Sequence, residues 1–180
     1  MRKREHIDYY VESRKGDDIV NWKELYEKVY ASGAHIIEHP VFIGTKNNVQ
    51  HQHTNTYFHS ICVAMMAIYL VDRFHLQVDQ DSLICGCLLH DLFLYDWHIA
   101  KVHFHGFRHP SIALSNAKKY FEVNAIEADV IKHHMFPLTP HPPVTKEGWI
   151  ITIADKLVSI REVFHQEIKE IGKVSPQTSR

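Results

Sequence analysis

Residues that could bind a metal ion recur through the middle of this sequence. The first is His59, and the adjacent pair His90-Asp91 follows it. The other candidates are two histidines in HGFRHP, a doublet in IKHHMFPL and one late carboxylate, namely His105, His109, His133, His134 and Asp155. Imidazole and carboxylate groups without thiolates suit Mn²⁺, Fe²⁺, Co²⁺, Ni²⁺ or Zn²⁺. The residue types therefore indicate transition-metal chemistry without identifying the metal.

Two of these carboxylates lie in apolar stretches of sequence. Asp91 lies among leucines, and Asp155 is flanked by isoleucine, alanine, leucine and valine. A buried carboxylate is costly unless it is paired or bound to metal, and two of them close together repel. A divalent cation between them removes both penalties. Taken singly, Asp155 could be a solvated or lysine-paired carboxylate and His59 a histidine at the edge of the core, so the whole set carries the argument.

Helical patterns dominate the segments that must position these residues. Asn21 is expected to cap a helix over WKELYEKVY, and Asn55 or Thr56 a long apolar helix with His59 in its first turn. Asp81 is expected to cap the helix that ends in His90-Asp91. The long helix that carries His59 is apolar on nearly every side and should be central in a bundle.

Helical patterns also dominate the second half of the chain. Pro110 suits the first turn of SIALSNAKKYF, and Asn124 with Glu127 resembles a capping box for AIEADVIKHH. The proline-rich FPLTPHPPV cannot be helical. Thr145 should begin a last long helix, whose apolar residues recur at three- and four-residue steps, and Gly172 should end it. We predict one all-α domain over residues 1–180, with the motifs in a core of about 50–165 and a loose tail at 173–180.

Composition narrows the class of protein. The 180 residues are 45% apolar and 23% charged, as in an ordinary globular domain, and the net charge of −1 gives no reason to expect nucleic acid as a partner. The N-terminus does not resemble a signal peptide, and the longest apolar run, 61–71, is too short to span a bilayer. A cytoplasmic protein without a membrane partner is expected. The three cysteines should be buried, reduced thiols.

The order of the candidate ligands resembles the HD superfamily of metal-dependent phosphohydrolases, all-helical proteins named for a histidine-aspartate doublet. The resemblance covers roughly residues 50–160 and is carried by YFHSICVA, CLLHDLFLYDWH, HGFRHPSIALSNA, IKHHMFPL and ADKLVS. HDLFLYDWH, HGFRHP and HMFPL also look like a group of small bacterial HD hydrolases. The resemblance implies a compact helical bundle of the HD-domain type.

The same resemblance implies a set of metal ligands. One metal ion would be bound by four residues, His59, His90, Asp91 and Asp155. Asp91 would bridge to a second ion, which could also be Mg²⁺, held by His109 and His134, with His133 as the other candidate. His109 is preferred to His105 because it sits in the His-Pro pair that matches the second-site histidine of the family.

The implied reaction is hydrolysis of a phosphoester of a small, nucleotide-like substrate by a metal-bound hydroxide, which is available near neutral pH. Three cations could hold the phosphoryl oxygens, namely Lys156, Arg108 and Lys101. His98 or His105 could protonate the leaving oxygen, and Trp97 could stack on a base.

The subfamily motifs do not identify the substrate. HDL is not followed by glycine-lysine, and HHMFPL lacks the HHE and Gly-Tyr-Pro run of the cyclic-dinucleotide phosphodiesterases.

Two other functions stay open. A di-iron oxygenase uses the same scaffold with the same ligand order. A regulatory module that binds metal or nucleotide without turnover is the other alternative. A homodimer is an open option in each case.

Overall fold

The computed structural model describes residues 21–51, 54–94 and 105–173, with backbone alone at 49–51, 105 and 163–173. Seven α-helices occur in this part of the chain: α1 (Trp22–Ile37), α2 (Pro40–Gly44), α3 (Thr56–Phe74), α4 (Gln80–Leu89), α5 (His105–Tyr120), α6 (Ala125–His133) and α7 (Lys146–Lys173). A 3₁₀ turn at Thr45–Asn47 precedes a short antiparallel pair, β1 (Val49–His51) and β2 (Thr54–Asn55). The all-α prediction is confirmed.

Helix α3 is the centre of the bundle and packs against α1, α4 and α7. Its side chains are buried around most of the helix, which explains why its sequence is apolar on nearly every side. By length and composition α3 would suffice to cross a membrane, but 56% of the relevant window is buried inside the protein. This burial places α3 in the core of the bundle.

Most of the side-chain caps that the sequence predicts are present at the helix N-termini. The side-chain oxygens of Asn21 and Asn55 accept hydrogen bonds from the backbone N–H groups of Glu24 and Phe58. Asn55, and not Thr56, is therefore the cap of α3. Before α6, Asn124 and the residue three positions later exchange both bonds of a capping box, as predicted.

Three predicted helix ends are wrong. Helix α4 is capped by Asp79, whose Oδ1 accepts from Ser82 N at 3.1 Å, so Asp81 lies inside the first turn. Helix α5 extends back to His105, which places Pro110 in its second turn, where a proline removes only one backbone bond. Helix α7 continues through Gly172. For α4 the error has a local cause, because Asp79 and Asp81 are both good capping residues.

The long helix α7 begins at Lys146, directly after the predicted Thr145. The core side of its described part consists of Ile150, Ile151, Ala154 and Val158, which are buried. In contrast, Ile153 and Leu157 from the recurring apolar set are half exposed. The three- and four-residue recurrence therefore predicts the helix correctly, but most of its described members face away from the core.

His75 ends α3 in the left-handed conformation, with φ 52° and ψ 43°. A side chain with a Cβ is strained there, and glycine is not, although glycine also loses more entropy on folding. We expect His75→Gly to raise the free energy of unfolding by about 0.5–1 kcal/mol, measured by urea denaturation. His75→Ala keeps the Cβ and should give no such gain. Equal stabilisation by both variants would contradict this explanation.

Candidate metal centre

Two candidate histidines follow the C-terminal ends of helices, and the chain orients both rings in the same way. His90 follows α4 and His134 follows α6. Each Nδ1 donates to the carbonyl oxygen three residues earlier, at 2.7 Å from Cys87 O and 2.8 Å from Ile131 O. In the neutral ring this bond places the proton on Nδ1 and leaves the lone pair of Nε2 directed at the interior.

His59 lies in the first turn of α3, where carboxylates contact both ring nitrogens. Its Nδ1 is 3.1 Å from Glu162 Oε2, and its Nε2 is 3.1 Å from Asp155 Oδ1. The two acidic residues lie seven positions apart on α7 and therefore share one side of that helix. Glu162 was not among the predicted site residues. The polar series Asp155, Ser159 and Glu162 at helical spacing is the signal that could have revealed it.

Four side chains meet at the first half of the site. Asp91 Oδ2 is 3.4 Å from His90 Nε2 and 3.9 Å from His59 Nε2. Asp155 Oδ1 is 3.9 Å from His90 Nε2, in addition to its contact with His59. His59, His90 and Asp91 form a buried group that could hold a single cation, and Asp155 contacts both of its histidines.

The second half of the site is built on the other oxygen of the same aspartate. Asp91 Oδ1 is 3.2 Å from His109 Nε2 and 3.7 Å from His134 Nε2, and the two imidazole nitrogens are 2.9 Å apart. Asp91, His109 and His134 form a second possible metal-binding group, which shares Asp91 with the first. The arrangement can hold two cations with one carboxylate between them.

The histidine doublet at the end of α6 is divided by the fold. His134 faces the cluster, whereas His133 Nδ1 is 2.7 Å from Asp129 Oδ1. Asp129 also accepts hydrogen bonds from the backbone N–H groups of Val144 and Thr145, so it joins α6 to the beginning of α7. His133 therefore belongs to this joint, and the structure does not bring it to Asp91.

Electrostatics in the cluster follow from burial and from its mixture of charges. Burial alone would lower the pKa of His59, but the charges of Glu162 and Asp155 outweigh it and hold this pKa well above its usual range. Burial would raise the pKa of both Asp91 and Asp155, but the neighbouring histidines outweigh it and hold both pKa values well below the usual range. Both aspartates are therefore carboxylates at neutral pH. Burial, helped by positive neighbours, lowers the pKa of His134 to about 3, so that its ring is neutral.

The residues present fit a bound cation. Among the described residues, the buried His90 Nε2 has no hydrogen-bond partner, although its ring is held firmly at Nδ1. An imidazole nitrogen buried in this way is costly unless something else uses its lone pair. The C-terminal ends of α4 and α6 also converge here, and their partial negative charges favour a cation.

Lys156 does not reach toward the cluster. Its ammonium donates to three backbone carbonyls, at 2.8 Å to Phe136, 3.2 Å to Thr152 and 3.5 Å to His134. Burial lowers the pKa of Lys156 below its usual value. Because an ammonium group has three N–H bonds and three carbonyls already accept them, this geometry does not support the predicted role of Lys156 in binding substrate phosphate.

We expect Lys156→Met to lower the free energy of unfolding by about 1–3 kcal/mol, because it removes the ammonium that donates to three part-buried carbonyl oxygens. Turnover should change much less than the roughly 10²–10³-fold expected for the loss of a group that touches the transition state. Denaturation and turnover measured together check both statements. Lys146→Met is the matched control, since its exposed ammonium donates to Gln77 O alone among the described residues. Large loss of turnover at unchanged stability would restore Lys156 as a phosphate ligand.

The other predicted substrate residues are placed only in part. Arg108 is exposed on α5 and lines a groove of about 340 Å³ beside the helix. The remaining predicted residues lie outside the described part of the chain, namely Trp97, His98, Lys101 and the side chain of His105. Their roles stay predictions.

Glu162 offers a direct test of ring orientation in the first half of the site. We expect Glu162→Gln to weaken metal binding about 10- to 100-fold, because the charge that orients His59 is lost. Equilibrium metal titration measures the effect. Arg161→Gln, at the exposed neighbouring position, should bind metal like the unaltered protein. Equal affinities in the two variants would mean that Glu162 has no part in the site.

Comparison with known families gives one match. A family model described as the HD domain matches residues 56–160. No curated protein and no solved structure matches this sequence. The matched range begins with the helix that carries His59 and includes all six clustered residues.

Proposed function

Because this chain belongs to the HD-domain family, whose members are mostly metal-dependent phosphohydrolases, we propose that it hydrolyses a phosphoester of a small, nucleotide-like substrate with one or two bound divalent transition-metal ions. The position of Asp91 carries this proposal. One of its oxygens faces His59 and His90, and the other faces His109 and His134. This arrangement is suited to two cations that share a carboxylate.

Bound at these two groups, divalent cations would lower the pKa of coordinated water and neutralise charge on phosphoryl oxygens. The protein's own contribution is to hold six candidate ligands in fixed directions inside a buried site. Glu162 and two backbone carbonyls orient three of the imidazole rings. All six ligand residues are at most 8% exposed, so their electrostatic interactions are screened little by water.

The groove along α5 supports a small substrate. Its volume of about 340 Å³ is at the lower end of the range of small-molecule sites. Arg108 offers a guanidinium for phosphate oxygens, and the ring of Phe107 is 49% exposed. Asn116, on the same face, donates to Leu92 O at 2.7 Å, so the groove reaches the turn that carries Asp91.

The test combines metal analysis of the purified protein with a screen of phosphomonoesters, phosphodiesters and nucleotides in the presence of Mn²⁺, Co²⁺, Fe²⁺, Ni²⁺, Zn²⁺ or Mg²⁺. We expect bound transition metal and release of phosphate or nucleotide that Asp91→Asn lacks. No release from any substrate with any metal would refute the proposal. Paired iron together with O₂ consumption would replace it with a di-iron oxygenase, and nucleotide binding without turnover with a regulatory module.

A further inference from the structure

The outer side of α7 carries a row of large apolar side chains that remain about half exposed, although the Trp149 ring also contacts the Phe136 ring. Trp149, Ile153, Leu157 and Ile160 are 43%, 51%, 39% and 52% exposed. Successive members are four, four and three residues apart, so at 100° per residue they form one stripe along the helix. We call these four residues the outer stripe. Asp155 and Glu162 project from the opposite side of the same helix, toward the metal centre.

The spacing of the outer stripe repeats in the remainder of α7. Phe164, Ile168 and Ile171 continue the series in the sequence with steps of four, four and three residues after Ile160. An eleven-residue repeat has about 3.67 residues per turn, close to the 3.6 of a straight helix. The sequence therefore keeps apolar residues on one side over most of the 28-residue helix. A helix that only covered a core would have polar residues on this side.

We propose that the outer stripe is the interface of a homodimer, in which the α7 helices of two copies pack against each other in antiparallel orientation. The series of seven apolar residues is nearly symmetric about Ile160, with Trp149 and Ile171 each eleven positions away. A two-fold axis through Ile160 therefore places apolar residues of one copy against apolar residues of the other. The same surface patch then serves both partners, as a two-fold interface requires.

The size of the contact favours a second copy over a segment of the same chain. The four described side chains expose roughly 350 Å², which is less than half of the about 800 Å² per partner that a stable dimer buries. The whole helix is about 42 Å long, and its sequence carries three further apolar residues at the same spacing, so pairing along its full length would bury a larger area than the outer stripe alone. Half of residues 1–20 are charged, and residues 174–180 are mostly polar, so the sequence of neither segment has the apolar repeat of the outer stripe.

The test compares three isoleucine-to-glutamate variants by sedimentation velocity across the micromolar range. We expect the unaltered protein to sediment as a dimer of 21.1 kDa chains. Ile153→Glu and Ile160→Glu should each raise the dimer dissociation constant by about 100-fold or more, because every substitution buries a charge twice in a two-fold interface. Ile43→Glu on α2, where the isoleucine is 40% exposed, is the matched control and should remain dimeric.

Circular dichroism of the variants separates dissociation from unfolding, because half-exposed positions tolerate a charge in a folded monomer. An unaltered protein that is monomeric throughout this range would overturn the proposal, and would leave the stripe to another part of the chain or to another protein. Dimers that persist in both stripe variants would overturn it as well, since they place the interface elsewhere. The readout is independent of metal and of turnover, so the proposed hydrolytic function can fail without affecting this result.

Discussion

Replacement of Asp91 by alanine is expected to abolish hydrolysis, with a loss of more than about 10³-fold in turnover. Both oxygens of this carboxylate face imidazoles, one in each half of the site. Its removal should therefore weaken both possible metal-binding groups together. Turnover and metal content of the purified variant are the measurements, and both should fall.

The Asp91 variant should nevertheless fold, because the substitution also removes a buried charge that needs compensation. Its helical content should equal that of the unaltered protein. Asp91→Asn keeps the shape of the side chain and should be equally inactive, which separates charge from packing. His141→Ala, at an exposed position in the proline-rich loop, is the control and should be fully active. Near-normal turnover and metal content in Asp91→Ala would mean that the carboxylate is an ordinary residue at a helix end.

The second large effect is expected at the histidine doublet. His134→Ala should lose one equivalent of metal and at least about 100-fold in turnover, because Nε2 of this ring is one of the groups that face Asp91 Oδ1. His133→Ala should keep its metal, because its ring contacts Asp129 instead. Metal analysis and turnover of the two variants provide the comparison.

This pair of variants is well matched, since the two residues are adjacent and chemically identical. His109→Ala should behave like His134→Ala, because its Nε2 lies 3.2 Å from the same carboxylate oxygen. Full metal occupancy in both His109→Ala and His134→Ala would show that the site holds a single ion. Loss of metal in His133→Ala alone would show that His133, and not His134, binds the ion.

The helices were predictable because the signals that begin and shape them are local. Asn21, Asn55 and Asn124 each bond to a backbone group three residues away, so the sequence contains both partners of the cap. Local signals fail where two neighbouring positions are equally suitable. Asp79 and Asp81 are both good caps, and only Asp79 has the extended backbone that a cap requires.

In the candidate site, too, the residue types follow from the sequence, whereas the directions of the side chains depend on the fold. The order and chemical types of the ligands indicate a metal centre before any coordinates are known, and the family match over residues 56–160 agrees with that order. The direction of each side chain depends on its neighbours in space. Lys156 is next to a candidate ligand in the sequence, but its ammonium donates to backbone carbonyls. Glu162 is not next to any candidate ligand, but it contacts His59 between α7 and α3.

The sequence by itself therefore determined the all-helical class, most helix starts and the set of residues from which a metal centre could be built, because hydrophobic periodicity, caps and residue chemistry are properties of short segments. Tertiary structure alone decided that the two oxygens of Asp91 face separate imidazole pairs and that His134, not His133, faces them. It also decided that half of the described apolar side chains of α7 lie outside the core. These outcomes depend on distances between helices far apart in the chain. Packing sets such distances, and no local pattern encodes them.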